Sequence, residues 1–229
     1  MQANTTAEQL QKEFQYTLSR FSHEIRNPIA LISSELQMLA SSHPEITAYD
    51  CWDDITDNLE YVRELLNDLS DYNNADRLTL TDTDLRSYLE TILSGVKTTL
   101  DYLGITLKTD ISHSLPTLPL DRVKLRQAIL NLLRNAEESI SHPHGEILIR
   151  AYPVSEGVCI SIQDNGCGIN AEQLPDIFTP FVTSKSNGSG LGLSVTRQVI
   201  KAHGGHIEVE STPGQGSTFR IFLGKVLLG

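Results

Sequence analysis

No run of apolar residues in this 229-residue chain approaches the ~18 to 20 that a membrane span requires. The opening Met1-Gln2-Ala3-Asn4 lacks the basic-then-apolar pattern of a secretion signal, so any sensor or membrane part is expected outside this chain. A basic excess is missing too. Lys and Arg number 18 against 29 Asp and Glu, a net charge of -11, which argues against nucleic acid and anionic lipid as partners. Cysteine is scarce: Cys51, Cys159 and Cys167 are odd in number and form no CxxC pair. That usage fits a reducing compartment without a disulfide framework, and cytoplasm is the expectation. His142 and His144 flank Pro143 but have no thiolate or carboxylate partners at zinc-ligand spacing, so a turn is expected there. No internal repeat or low-complexity tract is visible.

A 39% hydrophobic share is enough for a packed core in one or two domains, and the patterning changes near residue 76. The division expected is 1–76 and 77–229. Before it, apolar residues at Phe14, Leu18, Phe21, Ile25, Ile29, Ile32, Leu36 and Leu39 predict one buried helical stripe. A second stripe runs through Trp52, Ile55, Leu59, Val62, Leu66 and Leu69, and Ser41-Ser42-His43-Pro44 breaks the period as a hairpin turn would. Two such helices bury little alone. Their seams predict pairing with a second copy into a four-helix bundle, hence a homodimer; the alternative is a seam against the C-terminal region of the same chain.

Inside the first helix stands His23-Glu24-Ile25-Arg26-Asn27-Pro28. At about 100° per residue, His23 lies about 200° from both Phe21 and Ile25, on the solvent face. A lone exposed histidine is more often plain surface than a reactive group. Pro28 has no N–H for the Glu24 carbonyl, and a mid-helix proline costs about 3 kcal/mol, so a kink or loosened turn is expected beside His23.

After residue 76 helices and strands interleave. A helix of about 20 residues begins near Asp84 and closes at Gly104. Alternating segments at Ile105 to Ile111, Ile147 to Tyr152, Val158 to Ile162, His206 to Glu210 and Thr218 to Leu223 predict strands. Helices are expected from Asp121, as N-cap, to Ile140 and from Leu191 to His203, where Gly204-Gly205 stops the second. The fold class that follows is α+β and multidomain: a helical hairpin, then a mixed sheet with helices on one face.

Four clusters in this half carry chemistry. Asn131, Asn135 and Glu138 share a helix face at i, i+4, i+7. Such oxygen donors suit a hydrated Mg²⁺, although a solvated helix face has the same pattern. Asp164-Asn165-Gly166-Cys167-Gly168 closes a strand. Gly166 and Gly168 permit close backbone approach or positive φ, and a fixed carboxylate can accept from an exocyclic amine such as that of adenine; DxGxG is also a common turn. In Phe178-Thr179-Pro180-Phe181-Val182-Thr183-Ser184-Lys185, core packing explains the aromatics and a phosphate would explain Lys185. Gly188-Ser189-Gly190-Leu191-Gly192-Leu193 runs into a helix, offering backbone N–H groups and the positive dipole end to polyphosphate. It is neither a Rossmann fingerprint nor a P-loop.

In this order the motifs resemble those of the cytoplasmic core of bacterial sensor histidine kinases of two-component systems, over about residues 10 to 224. His23 to Pro28 is similar to the family's phosphoacceptor H box, Asn131 to Asn135 to its N box and Asp164 to Gly168 to its G1 box. Phe178 to Phe181 is similar to its F box, and Gly188 to Gly192 to its G2 box. The resemblance implies a dimerisation and phosphotransfer hairpin followed by an ATP-binding α/β sandwich. It implies that His23 accepts the γ-phosphoryl group of ATP, that Glu24 is its general base, and that a receiver-domain aspartate of a response regulator takes the group next. It further implies that Asn131 and Asn135 hold Mg²⁺ and phosphate oxygens and that Asp164 with Gly166 and Gly168 binds the adenine. Lys185, Gly188, Gly190, Leu191 and Gly192 would hold the phosphates. By resemblance to HExxN motifs, Asn27 would orient a water for dephosphorylating the regulator. Where many members carry lysine this chain has Glu138, as in the subgroup that includes nitrogen-regulation and sporulation kinases. The lid is short, with only Ser186 and Asn187 between Lys185 and Gly188.

Rival functions on the same ATP-binding fold fit less well. Topoisomerase, mismatch-repair and chaperone ATPases use a glutamate where this chain has Asn131, and asparagine cannot act as that base. A serine kinase of the anti-sigma type needs no helix carrying an exposed histidine. Against a non-catalytic dimeric scaffold stands the intact set of ATP-site motifs.

Overall fold

The computed structural model describes residues 2–185 and 188–224, apart from the side chains of residues 2–16, Ser19 and His23. Phe14, the His23 imidazole and the lid residues Ser186 and Asn187 thus lie outside the described residues. The chain forms two compact units, residues 1–74 with 184–191, and residues 75–183 with 192–229.

In the first unit, α1 (Gln2–Ser42) and α2 (Asp50–Asn74) pair as a hairpin around a 3-10 turn at Pro44–Ala48. Pro44 ends α1 by pushing His43 out of the helical region, to φ -135 and ψ 73. Pro28 lies inside α1, which continues through it. Arg26 Nη2 donates to the Leu66 carbonyl at 3.1 Å, a lock between the two helices beside the His23 turn.

The single stripe expected on α1 is split. Leu18, Ile25, Ile29 and Leu36 are half-buried, whereas Phe21, Ile32 and Leu39 remain 58%, 45% and 47% exposed. One partner helix covers only one seam of about 100°, so the flanking apolar residues are left about half exposed. Ser22, which the apolar period does not select, is 1% exposed in that protomer. Its hydroxyl and both amide atoms of Asn73 are buried without a hydrogen-bond partner.

The second unit opens with a feature that the sequence pattern does not predict, a two-stranded ribbon of β1 (Thr81–Asp84) with β3 (Thr117–Leu120). Its strands have four residues each and β3 contains Pro119, a residue that a two-stranded ribbon tolerates because one edge needs no donor. The main sheet has five strands: β2 (Thr106–Ile111), β4 (Glu146–Val154), β5 (Gly157–Asp164), β6 (His206–Thr212) and β7 (Gly216–Gly224). They lie in the order β2-β4-β5-β7-β6. β2 runs parallel to β4 and the remaining pairs are antiparallel. α3 (Leu85–Tyr102) packs beside β2, N-capped by Asp84, whose Oδ1 accepts from Ser87 N–H at 2.8 Å.

Register brings Ile149 opposite Ile162 and Ile160 opposite Ile221. Together with Ile147, Val158 and Phe219 they form a buried face under α4 (Arg122–Ser139) and α5 (Gly192–Ala202). From α4 come Leu125, Ile129, Leu132 and Ala136, and from α5 Val195, Val199 and Ile200, all buried. At the start of α4, His203 is 5% exposed. Its Nε2 accepts the Asp121 N–H at 2.9 Å, so Nδ1 carries the hydrogen and donates to the Val199 carbonyl at 2.7 Å. The Asp121 carboxylate meanwhile accepts from Val123 and Lys124 N–H, each at 3.1 Å, and from Thr79 N–H at 2.8 Å. This knot fixes where α4 begins, and α4 carries the asparagines of the site.

Candidate active site

On α1, Glu24 is exposed and its Oε1 accepts from Arg20 Nε at 3.1 Å, an i,i+4 pair. Asn27, one turn beyond His23, is exposed at the surface of the hairpin. These residues belong to the first unit, whereas Asn131, Asn135 and Asp164 belong to the second.

α4 presents Asn131 and Asn135 half-buried at the edge of its apolar stripe. Asn131 Nδ2 donates to the Gly192 carbonyl at 3.3 Å, which also accepts from Thr196 Oγ1 at 2.9 Å. That bond orients the Asn131 amide with its nitrogen spent on protein, so the oxygen is the atom suited to a hard cation. Gly192 leaves room at this point: a Cβ there would sit 3.7 Å from the Asn131 amide, in ordinary contact. Glu138 pairs with Arg134 at 2.9 Å on the outer side of the helix.

β5 ends on Asp164, which is 5% exposed. Its Oδ1 accepts from Gly166 N–H at 2.9 Å, Ser139 Oγ at 3.1 Å and Ser217 N–H at 3.2 Å. Burial pushes the Asp164 carboxyl above its ordinary value, and these donors oppose that rise without cancelling it. With Oδ1 surrounded by protein donors, Oδ2 is the oxygen suited to a ligand amine. The following turn is shaped by two glycines. Gly168 has φ +69 and the Thr212 carbonyl lies where its Cβ would be. Gly214 N–H donates to the Cys167 carbonyl at 2.7 Å and Ile169 N–H to Ser211 Oγ at 2.8 Å, tying the turn to the end of β6.

Phe178 is buried edge-on against Phe219, with ring centroids 6.5 Å apart. The Arg197 guanidinium lies over its ring at 5.4 Å. Phe181, by contrast, has φ 66 and is 53% exposed. Lys185 is exposed. Gly188 and Gly190 are half-buried and Leu191 is buried; Gly190 takes φ +67, and Leu191 N–H donates to Ser189 Oγ at 3.2 Å. Lys185, Gly188, Gly190 and Leu191 group with the helical unit, while Gly192 begins α5 in the second.

Ser139, Ser217, Arg197 and His203 carry no sequence signal that selects them. Ser139 and Ser217 lie 25 and 53 positions from Asp164. Ser217 arrives only through β5–β7 pairing, and Ser139 only through the packing of the end of α4 on the 164–168 turn.

Comparison with known proteins agrees with this layout. Residues 15–78 match the His Kinase A (phospho-acceptor) domain, and residues 120–226 match the histidine kinase-, DNA gyrase B-, and HSP90-like ATPase family. The sensor histidine kinase ZraS of Escherichia coli (strain K12) is 34% identical over 203 residues, covering 88% of this chain and 43% of that protein. The sensory histidine kinase/phosphatase NtrB of Vibrio alginolyticus is 31% identical over 213 residues, covering 88% of this chain and 60% of that one. Among solved structures, full-length ShkA in complex with AMPPNP superimposes with a TM-score of 0.76 at 25% identity, covering 90% of this chain and 44% of that one. The chain thus spans about half the length of these relatives. Two matched domains in this order, with these relatives, make the chain a member of the two-component sensor histidine kinases, spanning their phospho-acceptor and ATPase domains.

Proposed function

We propose that the chain binds ATP in its second unit, autophosphorylates on His23, and passes the phosphoryl group to an aspartate of a response-regulator receiver domain. The observation that carries this is Asp164: a buried carboxylate with one oxygen occupied by protein donors, in the same unit as Asn131 and Asn135. That unit matches the ATPase family, and ShkA, the structural neighbour, holds AMPPNP. On this basis residues 1–76 form the dimerisation and phosphotransfer domain and residues 77–229 the ATP-binding domain.

A neutral ring nitrogen of His23 attacks the γ-phosphorus in line; the N–P bond forms, the bond to the bridging oxygen breaks, and ADP leaves. Glu24 accepts a hydrogen bond or the proton from the other ring nitrogen, which raises the nucleophilicity of the attacking one. To do so it releases Arg20, an exposed pair worth about 0.2–1 kcal/mol, a small cost. Asn131 and Asn135 would hold Mg²⁺, which would supply charge neutralisation at the phosphates. Lys185 with Gly188, Gly190, Leu191 and Gly192 lines the phosphates, and Gly166 and Gly168 admit the base. Asn27 orients water for dephosphorylation of the regulator.

The exposed Phe21, Ile32 and Leu39 of α1 and Ile55 of α2 support a homodimer. No helix among the described residues is long and apolar enough to cross a membrane; the proposed place is the cytoplasm, as the core of a sensor whose input part lies elsewhere.

A chase experiment tests the transfer. Protein carrying label from γ-labelled ATP is mixed with a receiver domain; label appearing there as a hydroxylamine-sensitive acyl phosphate is expected. Label that stays on the kinase with every receiver tried would refute the transfer step.

A further inference from the structure

Ser139 is the last residue of α4, one turn beyond Asn135. Its hydroxyl has two acceptors in reach, the Ala136 carbonyl at 2.7 Å and Asp164 Oδ1 at 3.1 Å. One hydrogen serves both, and a charged acceptor forms a bond about twice as strong as a neutral one. The backbone closes the same contact from the other side, since Cys167 N–H donates to the Ser139 carbonyl at 2.9 Å. Gly166 is moulded to it: a Cβ there would collide with Ser139 Oγ and lie 2.6 Å from the Ser139 carbonyl oxygen. Ser139 therefore joins the helix that carries Asn131 and Asn135 to the turn that carries Asp164.

We propose that Ser139 is a positioning residue for base recognition: its hydroxyl holds the Asp164 carboxylate in the orientation that offers Oδ2 to an exocyclic amine, and so sets the preference for a 6-aminopurine over a 6-oxopurine. This rests on the assignment of Asp164 to the base. A 6-amino group donates to Oδ2, whereas a 6-oxo group places an acceptor against it and leaves both unpaired. The backbone donors Gly166 and Ser217 fix Oδ1 from the turn and from β7. Ser139 is the one side-chain donor to Asp164 among the described residues, and the only one of the three anchored on α4. Without it Oδ1 keeps only its two backbone donors, and the plane of the carboxylate, which sets the direction of Oδ2, is less tightly held.

Calorimetric titration of the full chain with ADP and with IDP separates the possibilities. For Ser139→Ala, ADP affinity is expected to fall roughly tenfold, the worth of one hydrogen bond to a charged group, with IDP affinity unchanged. The ADP-over-IDP preference then falls by the same factor. Unchanged IDP binding also certifies that the site is folded. An equal loss for both nucleotides would mark a structural role and overturn the proposal, and so would no loss for either. Asp164→Ala is the companion. If it abolishes the preference while Ser139→Ala keeps it, only the role of Ser139 fails; if Asp164→Ala itself keeps the preference, the assignment of Asp164 to the base fails.

Discussion

Replacing Asp121 with alanine removes the N-cap of α4 and, with it, the anchor of the helix that carries Asn131 and Asn135. The residue is 6% exposed and its carboxylate serves Val123, Lys124 and Thr79 N–H. Loss of an N-cap costs about 1 kcal/mol, and the separate bond from Thr79 to a charged acceptor adds about 1.5–3 kcal/mol. The sum is about 2.5–4 kcal/mol. In a unit of this size each kcal/mol lowers Tm by about 2–4 °C, so a fall of roughly 5–15 °C is expected. The bond from Asp121 N–H to His203 survives in the variant because its donor is backbone. Asp121→Asn, which keeps a capping oxygen, should lose less than half as much. Differential scanning calorimetry or thermal circular dichroism reads both. A shift under about 2 °C for the alanine variant, or equal shifts for both variants, would refute the assignment of the knot as the anchor of α4.

Two further predictions concern groups nearby. Burial holds the His203 ring below its ordinary value, against the opposing pull of the Val199 carbonyl and the Asp121 charge. The unfolded chain therefore takes up this proton at higher pH than the folded one, so His203 leaves stability unchanged above about pH 6.5 and lowers it as pH falls below that value. Urea midpoints measured from neutral pH downward through this window should show the slope, and His203→Leu should flatten it at some cost in stability at neutral pH. A slope unchanged by that substitution would assign the effect to other groups. Gly166→Ala and Gly204→Ala form the second pair. The former meets Ser139 and should cost about 3 kcal/mol or more, with loss of nucleotide binding. The latter has φ +74 with nothing within 4 Å and should cost about 1 kcal/mol with binding intact; equal losses would contradict the shape given to the Asp164 turn.

Much of this architecture is legible in the sequence because its signals are local. Asp121 announces itself as a cap by its place before an apolar period, and a helix is expected to begin near Asp84; in the structure both carboxylates accept N–H groups of the first helical turn. Gly104 and Gly204 mark helix ends and take φ 73 and 74. The hydrophobic alternation of β4, β5 and β7 predicts the core strands. What stays hidden depends on distant partners. The β1–β3 ribbon joins Thr81 to Leu120 and Asp84 to Thr117, segments separated by all of α3 and β2; β1 has no apolar residue, and β3 buries Leu118 and Leu120 in alternation but is only four residues long and contains Pro119. The split of the α1 stripe is hidden because period shows which residues are apolar, not whether the covering helix belongs to the same chain. Ser139, Ser217 and His203 have ordinary neighbours in sequence and acquire their roles only when the end of α4, β7 and the end of α5 meet Asp164 and Asp121.

Autophosphorylation is the step on which the whole account stands. Incubation of the chain with γ-labelled ATP should place label on the protein that is lost in acid and kept in alkali, and that is absent from His23→Ala although this variant still binds ADP. Label that persists in His23→Ala, or release of inorganic phosphate with no label on the protein, would contradict it.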